Sequence, residues 1–341
     1  MVEWQGPSDW VRIRTIDSHT EGEPFRVVLD GFPELEGATI LERRRYAEEH
    51  YDHLRKALMW EPRGHADMYG CLVTPAVSPE ADLGVLFMHN AGFSTMCGHG
   101  VLAMTTVALE TGMLPKTSPT TKVRLETPAG LVTAEATVDG GRVRKVSFRN
   151  VPSFVLALDQ RVEVPGLGVV PYDLAFGGAF YALVEAVDLG LACRPEDLHA
   201  LIEKGVAIRR SVAASRPVEH PFEEDLSFLY GVIFLGPGRS RGAHSRNVCI
   251  FADGQVDRSP TGTGVSARLA IHHARGELGL EEPLVIESII GSRFTGRVVE
   301  TTRFGPYPAV VPEVEGRSYI TGRHEFLIDP ADELRHGFLL R

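Results

Sequence analysis

The residues best suited to chemistry in this sequence form a short Gly-rich run, MCGHG, at positions 96 to 100. An apolar run follows directly, so Cys97, Gly98, His99 and Gly100 are expected at the start of a buried helix, aimed at something inside the protein. Free backbone N–H groups and the positive end of the helix dipole lie there. Glycines let a ligand come close, and a thiol so placed is expected to have a lowered pKa because its anion is stabilised. A hydrolase built on Cys97 and His99 is disfavoured, since two residues separated by one position at a helix start do not readily face each other.

A second segment repeats the first. When PTGTGVSARLAIHHARG, from Pro260, is placed under MCGHGVLAMTTVALETG, from Met96, the offset is 164 residues. Gly98, Gly100, Val101, Ala103 and Gly112 then fall on Gly262, Gly264, Val265, Ala267 and Gly276. Strand-like runs precede both, VLFMHN at 85 to 90 and NVCIFAD at 247 to 253. Thr261, Gly262, Thr263 and Gly264 therefore offer a second cradle. If the two halves face each other, two helix N-termini converge on a volume suited to a carboxylate. The same donors would hold the charge that develops when the neighbouring α-carbon loses a proton. Asp257, four residues before the second cradle, is placed to pair with a substrate amine, although a turn role fits it too. Phe251 is expected either against a substrate ring or in the core.

The elements needed to position these residues read as mainly antiparallel α+β. Short β-type runs punctuated by Gly and Pro dominate, among them VRIRTID, FRVVLDG, KVRLET, LVTAEATVDGG, KVSFRNV and YPAVVPEVEG. Helical patterns are fewer: 41 to 60, the run after Cys97, 195 to 203, and the run after Thr261. The first is amphipathic and rich in charge, so it should lie on the surface. The repeat predicts two pseudo-symmetric domains, 1–170 with the Cys97 cradle and 171–324 with the Thr261 cradle, the segment 325–341 completing the first.

Bulk properties narrow the partners. The chain has 341 residues, 43% hydrophobic and 23% charged, with a formal net charge of −10, enough for two cores. Such a field argues against nucleic acid or an anionic membrane surface as partner. No apolar stretch is long enough to span a bilayer, and a cytoplasmic location is expected. Cys71, Cys97, Cys193 and Cys249 form no CxxC pair and read as reduced thiols, three of them in the core. Two polar clusters, 16 to 24 with His19 and Glu21 and 61 to 70 with His65 and Asp67, show no recognised metal-ligand spacing and read as loops or turns. No metal and no organic cofactor are expected.

Together MCGHG, DRSPTGTG at 257 to 264, IDSHTEGEP at 16 to 24, EPRGHADMYG at 61 to 70 and GGAFYA at 177 to 182 resemble the proline racemase family, over nearly the whole chain. The resemblance implies a fold like that of diaminopimelate epimerase, two α+β domains each wrapping a sheet around a central helix, with the site in the cleft and a homodimer as the assembly. Racemases and epimerases of the family carry a cysteine in both cradles, one taking the α-proton and the other returning one on the opposite face. Here Thr261 stands at the second position. An alcohol cannot alternate as base and acid near neutral pH as a thiol can, so the pair resembles the branch that dehydrates trans-3-hydroxy-L-proline. That resemblance implies Cys97 as base, Thr261 as its facing residue, Asp257 on the ring nitrogen, and amides around Gly98, His99, Gly262 and Thr263 on the carboxylate. The alternatives are racemisation or epimerisation of proline-type substrates, and a catalytically silent protein that binds amino acids.

Overall fold

The computed structural model describes Trp4 and residues 6–340. Residues 1–3, 5 and 341 lie outside the described residues, so the first and last residues of the expected 1–170 and 325–341 pieces fall there. The chain is mixed α+β. In order, it forms β1 (Val11–Thr20), β2 (Glu23–Asp30), α1 (Ile40–Met59), β3 (Tyr69–Thr74), β4 (Leu83–His89), β5 (Phe93–Ser94), α2 (Gly98–Glu110), β6 (Thr120–Thr127), β7 (Gly130–Asp139), β8 (Arg142–Arg149) and β9 (Ser153–Val164). There follow β10 (Gly168–Phe176), β11 (Phe180–Glu185), α3 (Leu198–Ser215), β12 (Leu229–Pro237), β13 (Ser245–Phe251), β14 (Gln255–Asp257), α4 (Gly262–Ala274), β15 (Leu284–Glu287), β16 (Arg293–Phe304), β17 (Tyr307–Gly316) and β18 (Ser318–Ile328).

Alternation along the strands explains why they form. In β7, Val132, Ala134, Ala136 and Val138 point inward while their neighbours face out or sit at the margin, the pattern of a sheet with one buried face. The helices read differently. From Gly98 to Leu109 every residue of α2 is buried, and α4 is buried from Gly262 to Ile271. Neither has a polar face to offer water, so each must be wrapped. Strands β1, β2, β3, β7, β8, β17 and β18 pack on α2, and β9, β10, β11, β16 and β17 pack on α4. One continuous apolar cluster runs from Val101 and Met104 to Val265 and Leu269.

The 17-residue repeat in sequence widens into a repeat of element order. Strands β1 and β2 pair antiparallel, β2 and β3 parallel around α1, β3 to β4 to β5 antiparallel, and β4 and β6 parallel around α2, before β6, β7 and β8 form a meander. The same succession recurs from β10 to β17, with α3 and α4 in the corresponding crossovers. Strand β18 returns to pair along the whole of β1. The position 170/171 lies inside β10, which forms a hairpin with β9.

Helix α1 has a half-buried surface position. Thr39 and Glu42 close a capping box at its start, and Leu54, Ala57 and Leu58 face inward. Its charge-rich sequence hides one exception. Arg55 is only 2% exposed and donates to the carbonyls of His89 (2.6 Å) and Asn90 (2.7 Å), so one charge of the expected solvated face ties the helix to the end of β4. Helix α3 continues to Ser215, past the expected end at 203, because Ile208 and Val212 still meet the core. No helix among the described residues is long and apolar enough to cross a membrane.

Candidate functional site

The two helix starts touch. A Cβ added to Gly98 would lie 2.6 Å from the Gly262 Cα, and one added to Gly262 would lie 2.8 Å from the Gly98 Cα. Only two glycines allow the backbones to come so close. Beside this contact is a small pocket between buried side chains. The structure brings all eight residues singled out in the sequence to its wall: Cys97, Gly98, His99, Phe251, Asp257, Thr261, Gly262 and Thr263. Every one is buried.

Cys97 caps α2 in relaxed extended backbone (φ −143°), and its Sγ accepts from the Gly100 N–H at 3.3 Å. Gly100 makes that bond possible, since a Cβ there would sit 2.9 Å from the sulfur. The thiol does not have the lowered pKa expected of a helix start. Burial pushes it well above its ordinary value, the Asp257 carboxylate adds to the rise, and the Gly100 N–H only partly opposes them. Desolvation of an anion among buried side chains outweighs one hydrogen bond.

His99 also departs from expectation. Its Nδ1 and Nε2 both lie 3.4 Å from Cys97 Sγ, so the two side chains do meet, although they are one residue apart. Equal distances place the sulfur on the bisector of the ring, and neither nitrogen points straight at it. This is contact without the linear hydrogen bond of a nucleophile and its base. His99 Nδ1 lies 3.7 Å from Asp257 Oδ2, while Asp257 Oδ1 accepts from the Ser259 N–H at 2.7 Å. Burial works against the Asp257 anion, but His99 and Ser259 outweigh it and hold the carboxyl below its usual range.

Thr261 is unlike Cys97. Its backbone is left-handed (φ 65°, ψ 95°), its side chain caps nothing, and its buried hydroxyl has no nitrogen or oxygen partner. The Cys249 thiol interacts with it; burial and then Asp257 push that thiol well up, with Thr261 opposing.

Four wall residues were not expected at the site, Tyr69, Met96, Tyr230 and Cys249, and Tyr181 joins them. Tyr69 and Tyr230 share a hydrogen bond between hydroxyls at 2.9 Å, and the Tyr181 hydroxyl meets Thr263 Oγ1 at 2.7 Å. Phe251 stacks on Tyr230, with centroids 5.2 Å apart and planes at 13°. Tyr69 and Tyr181 stand inside EPRGHADMYG and GGAFYA, so those motifs carried a signal for them. The glycines of GGAFYA also have a structural reason, because a Cβ on Gly177 would strike the Thr263 carbonyl oxygen at 2.1 Å.

The polar clusters tie the chain to this site. Asp67 Oδ1 accepts from the Val256 N–H at 3.1 Å, and Glu23 Oε2 accepts from the Arg258 N–H at 2.6 Å. His65 faces solvent, and His19 Nδ1 accepts from the Gly22 N–H. No group of three His, Cys, Asp or Glu among the described residues is placed to hold a metal ion.

Fold and site together define a class: an α+β chain whose two buried helices present their starts, one with a thiol, to a single small pocket. The chain belongs to the proline racemase family, whose model matches residues 15–339. A trans-3-hydroxy-L-proline dehydratase of Colwellia psychrerythraea is 47% identical to it, over 99% of this chain and 96% of its own. A 3-hydroxyproline 2-epimerase of Burkholderia multivorans is 45% identical, over 96% and 98%. The crystal structure of a hydroxyproline epimerase from Agrobacterium vitis, with bound trans-4-hydroxy-L-proline, superposes with a TM-score of 0.92 at 35% identity, covering 98% of this chain and 96% of that one.

Proposed function

We propose that this protein is a trans-3-hydroxy-L-proline dehydratase, with Cys97 as the single acid–base group. The observation that carries the reading is Cys97 and Thr261 at two abutting helix starts on one small pocket. A thiol on one side and an alcohol on the other make one face of a substrate ring competent for proton transfer.

The carboxylate lies on the N–H groups of Gly98, His99, Gly262 and Thr263, where two helix dipoles add. Asp257 takes the protonated ring nitrogen, and Phe251 packs on the ring. That cation next to Asp257 offsets the carboxylate's share of the rise in the Cys97 pKa, burial being the larger share, and so favours release of the thiol proton to solvent before the reaction begins. Cys97 Sγ then takes the α-proton, and the C–H electron pair becomes the Cα=Cβ bond. As the C3–O bond breaks, the thiol returns its proton to the departing hydroxide. In the trans isomer the 3-hydroxyl and the α-hydrogen share a ring face, so one group serves both steps. Water leaves, the thiolate is restored, and the enamine tautomerises to Δ1-pyrroline-2-carboxylate. Thr261 fills or hydrogen-bonds its side of the pocket.

The same reading takes the chain as two pseudo-symmetric domains, 1–170 and 171–324, with 325–341 completing the first and the site in the cleft. The repeated strand order supports it, as does the return of β18 to β1. A homodimer, as the resemblance implies, and a cytoplasmic location belong to it too.

A second reading, 2-epimerisation, is favoured by the Burkholderia multivorans relative and by the Agrobacterium vitis epimerase structure. Incubating the protein with a panel of proline and hydroxyproline isomers, while following imine formation and optical inversion, separates the two. Imine from trans-3-hydroxy-L-proline without inversion of the other isomers is expected. Inversion without imine would replace this reading with the second.

A further inference from the structure

Thr261 is a β-branched residue in left-handed backbone (φ 65°), and its hydroxyl is buried without a nitrogen or oxygen partner. Such a backbone is strained for a β-branched residue and persists only where its surroundings hold it. Its own side chain does not hold it. The preceding residue, Pro260, has no N–H with which to help. Ser259 Oγ accepts from the Thr261 N–H at 3.2 Å, and two further buried side chains outside the cavity hold the peptide that precedes it.

Asn247 on β13 is fully buried, and its Nδ2 donates to the Pro260 carbonyl at 3.0 Å. Its Oδ1 in turn accepts from Arg268 Nη1, also at 3.0 Å. The same Nη1 donates to Ser245 Oγ at 2.6 Å. Arg268 is 4% exposed and, among the described residues, has no carboxylate within ion-pair distance. Burial draws its pKa down to about 10. Glu185 is near enough to favour the guanidinium charge, and Nη2 meets His272 Nε2 at 3.2 Å. A buried guanidinium is a poor source of stability, whereas its bonds to Asn247 and Ser245 fix geometry. Arg268 belongs to α4, the helix that Thr261 begins. The bonds therefore form a closed circuit, from α4 through Arg268 and Asn247 to the Pro260 carbonyl and back to the start of α4.

We infer that Asn247 and Arg268 are positioning residues, which fix the Pro260–Thr261 peptide and so hold Thr261 in its left-handed turn at the cavity wall. The inference rests on the reading that this cavity is the catalytic one. Glycine adopts a positive φ unaided, so a Thr261→Gly background should no longer need the clamp.

The test is a double-mutant cycle between Asn247→Ala and Thr261→Gly, read as kcat and KM for dehydration of trans-3-hydroxy-L-proline and as the Kd of L-proline by calorimetry. With Thr261 present, Asn247→Ala should lower kcat by about tenfold with a smaller change in KM. In the glycine background the loss should shrink to about twofold. Arg268→Lys, which keeps the charge and is the milder change should Asn247→Ala not fold, should show the same dependence on background. Equal losses in both backgrounds would overturn the inference, since a merely structural defect is blind to the residue at 261. If the parent protein dehydrates nothing, the functional reading fails, and coupling in the L-proline Kd still decides for or against the clamp.

Discussion

The two helix starts occupy matching places in a repeated fold and are held in opposite ways. At Cys97 the backbone is relaxed, and the reactive atom itself is the cap, its sulfur taking the Gly100 N–H. At Thr261 the backbone is left-handed, the side chain caps nothing, and bonds from Ser259 and Asn247 hold the turn from behind. On the mechanism proposed above, the difference marks the side that must keep its reactive atom in place through a proton transfer. A sulfur tied to its own helix stays fixed relative to the N–H groups proposed to hold the carboxylate. A hydroxyl given no acid–base work in that mechanism can be left without a nitrogen or oxygen partner.

The largest expected effect breaks the comparison outright if it fails. Cys97→Ser should lower imine formation from trans-3-hydroxy-L-proline by about 10³-fold or more, the upper range of what one acid–base group contributes. Thr261→Ala should keep the rate within roughly tenfold of the parent. Comparable losses in the two variants would assign proton chemistry to Thr261 and remove the one-face mechanism.

The next effect falls on what the two starts share. Gly98→Ala and Gly262→Ala would each drive a Cβ into the opposing backbone, at 2.6 and 2.8 Å. Backbone cannot yield as the end of a side chain can, so each variant should lose about 1–3 kcal/mol in urea unfolding. Displacing the N–H groups by about an ångström should also cost about 10² in kcat. Because the contact is mutual, the two losses should match. A large loss from one and none from the other would mean that the starts do not bear on each other equally.

What the sequence revealed of this site depended on how local each signal was. Glycines at fixed spacing before an apolar helix are a local pattern, so both cradles, and with them Asp257 and Phe251 just upstream, could be read from residue types. The repeat also foretold strand, turn and helix twice over. Tyr69 and Tyr230 come from strands distant in sequence, Cys249 from the strand just upstream of the second cradle, and each looks like an ordinary core residue until the sheets bring it to the cavity. The Cys97–His99 contact and the raised thiol pKa were misread for a related reason. Helix position is visible in a sequence, whereas the rotamer of a histidine and the desolvation of a buried pocket are products of packing. Thr261 carried no mark of its left-handed backbone, because threonine is among the residues least expected there.

The smallest effect concerns the acidic groups gathered beside the second start. Glu23, in a cluster where His19 and Glu21 drew the eye, is fully buried, with Oε1 lacking any hydrogen bond. Burial holds its carboxyl well above the ordinary range, Asp257 adds to the rise, and Arg258 opposes it. The native state therefore binds a proton that the unfolded chain gives up near its ordinary value of about 4.3. The stability this contributes is complete below that value and is lost as the pH climbs toward the raised one. Asp257, with its lowered carboxyl, has the opposite sign, contributing above its unfolded value and losing that contribution only in stronger acid. In Glu23→Gln the side chain is neutral throughout, so the decline on the alkaline side should flatten. The variant should then gain on the parent in Tm as the pH rises from about 5 to about 8. Parallel Tm curves over that range would mean that Glu23 keeps its charge in the fold, with Arg258 as a full counter-ion.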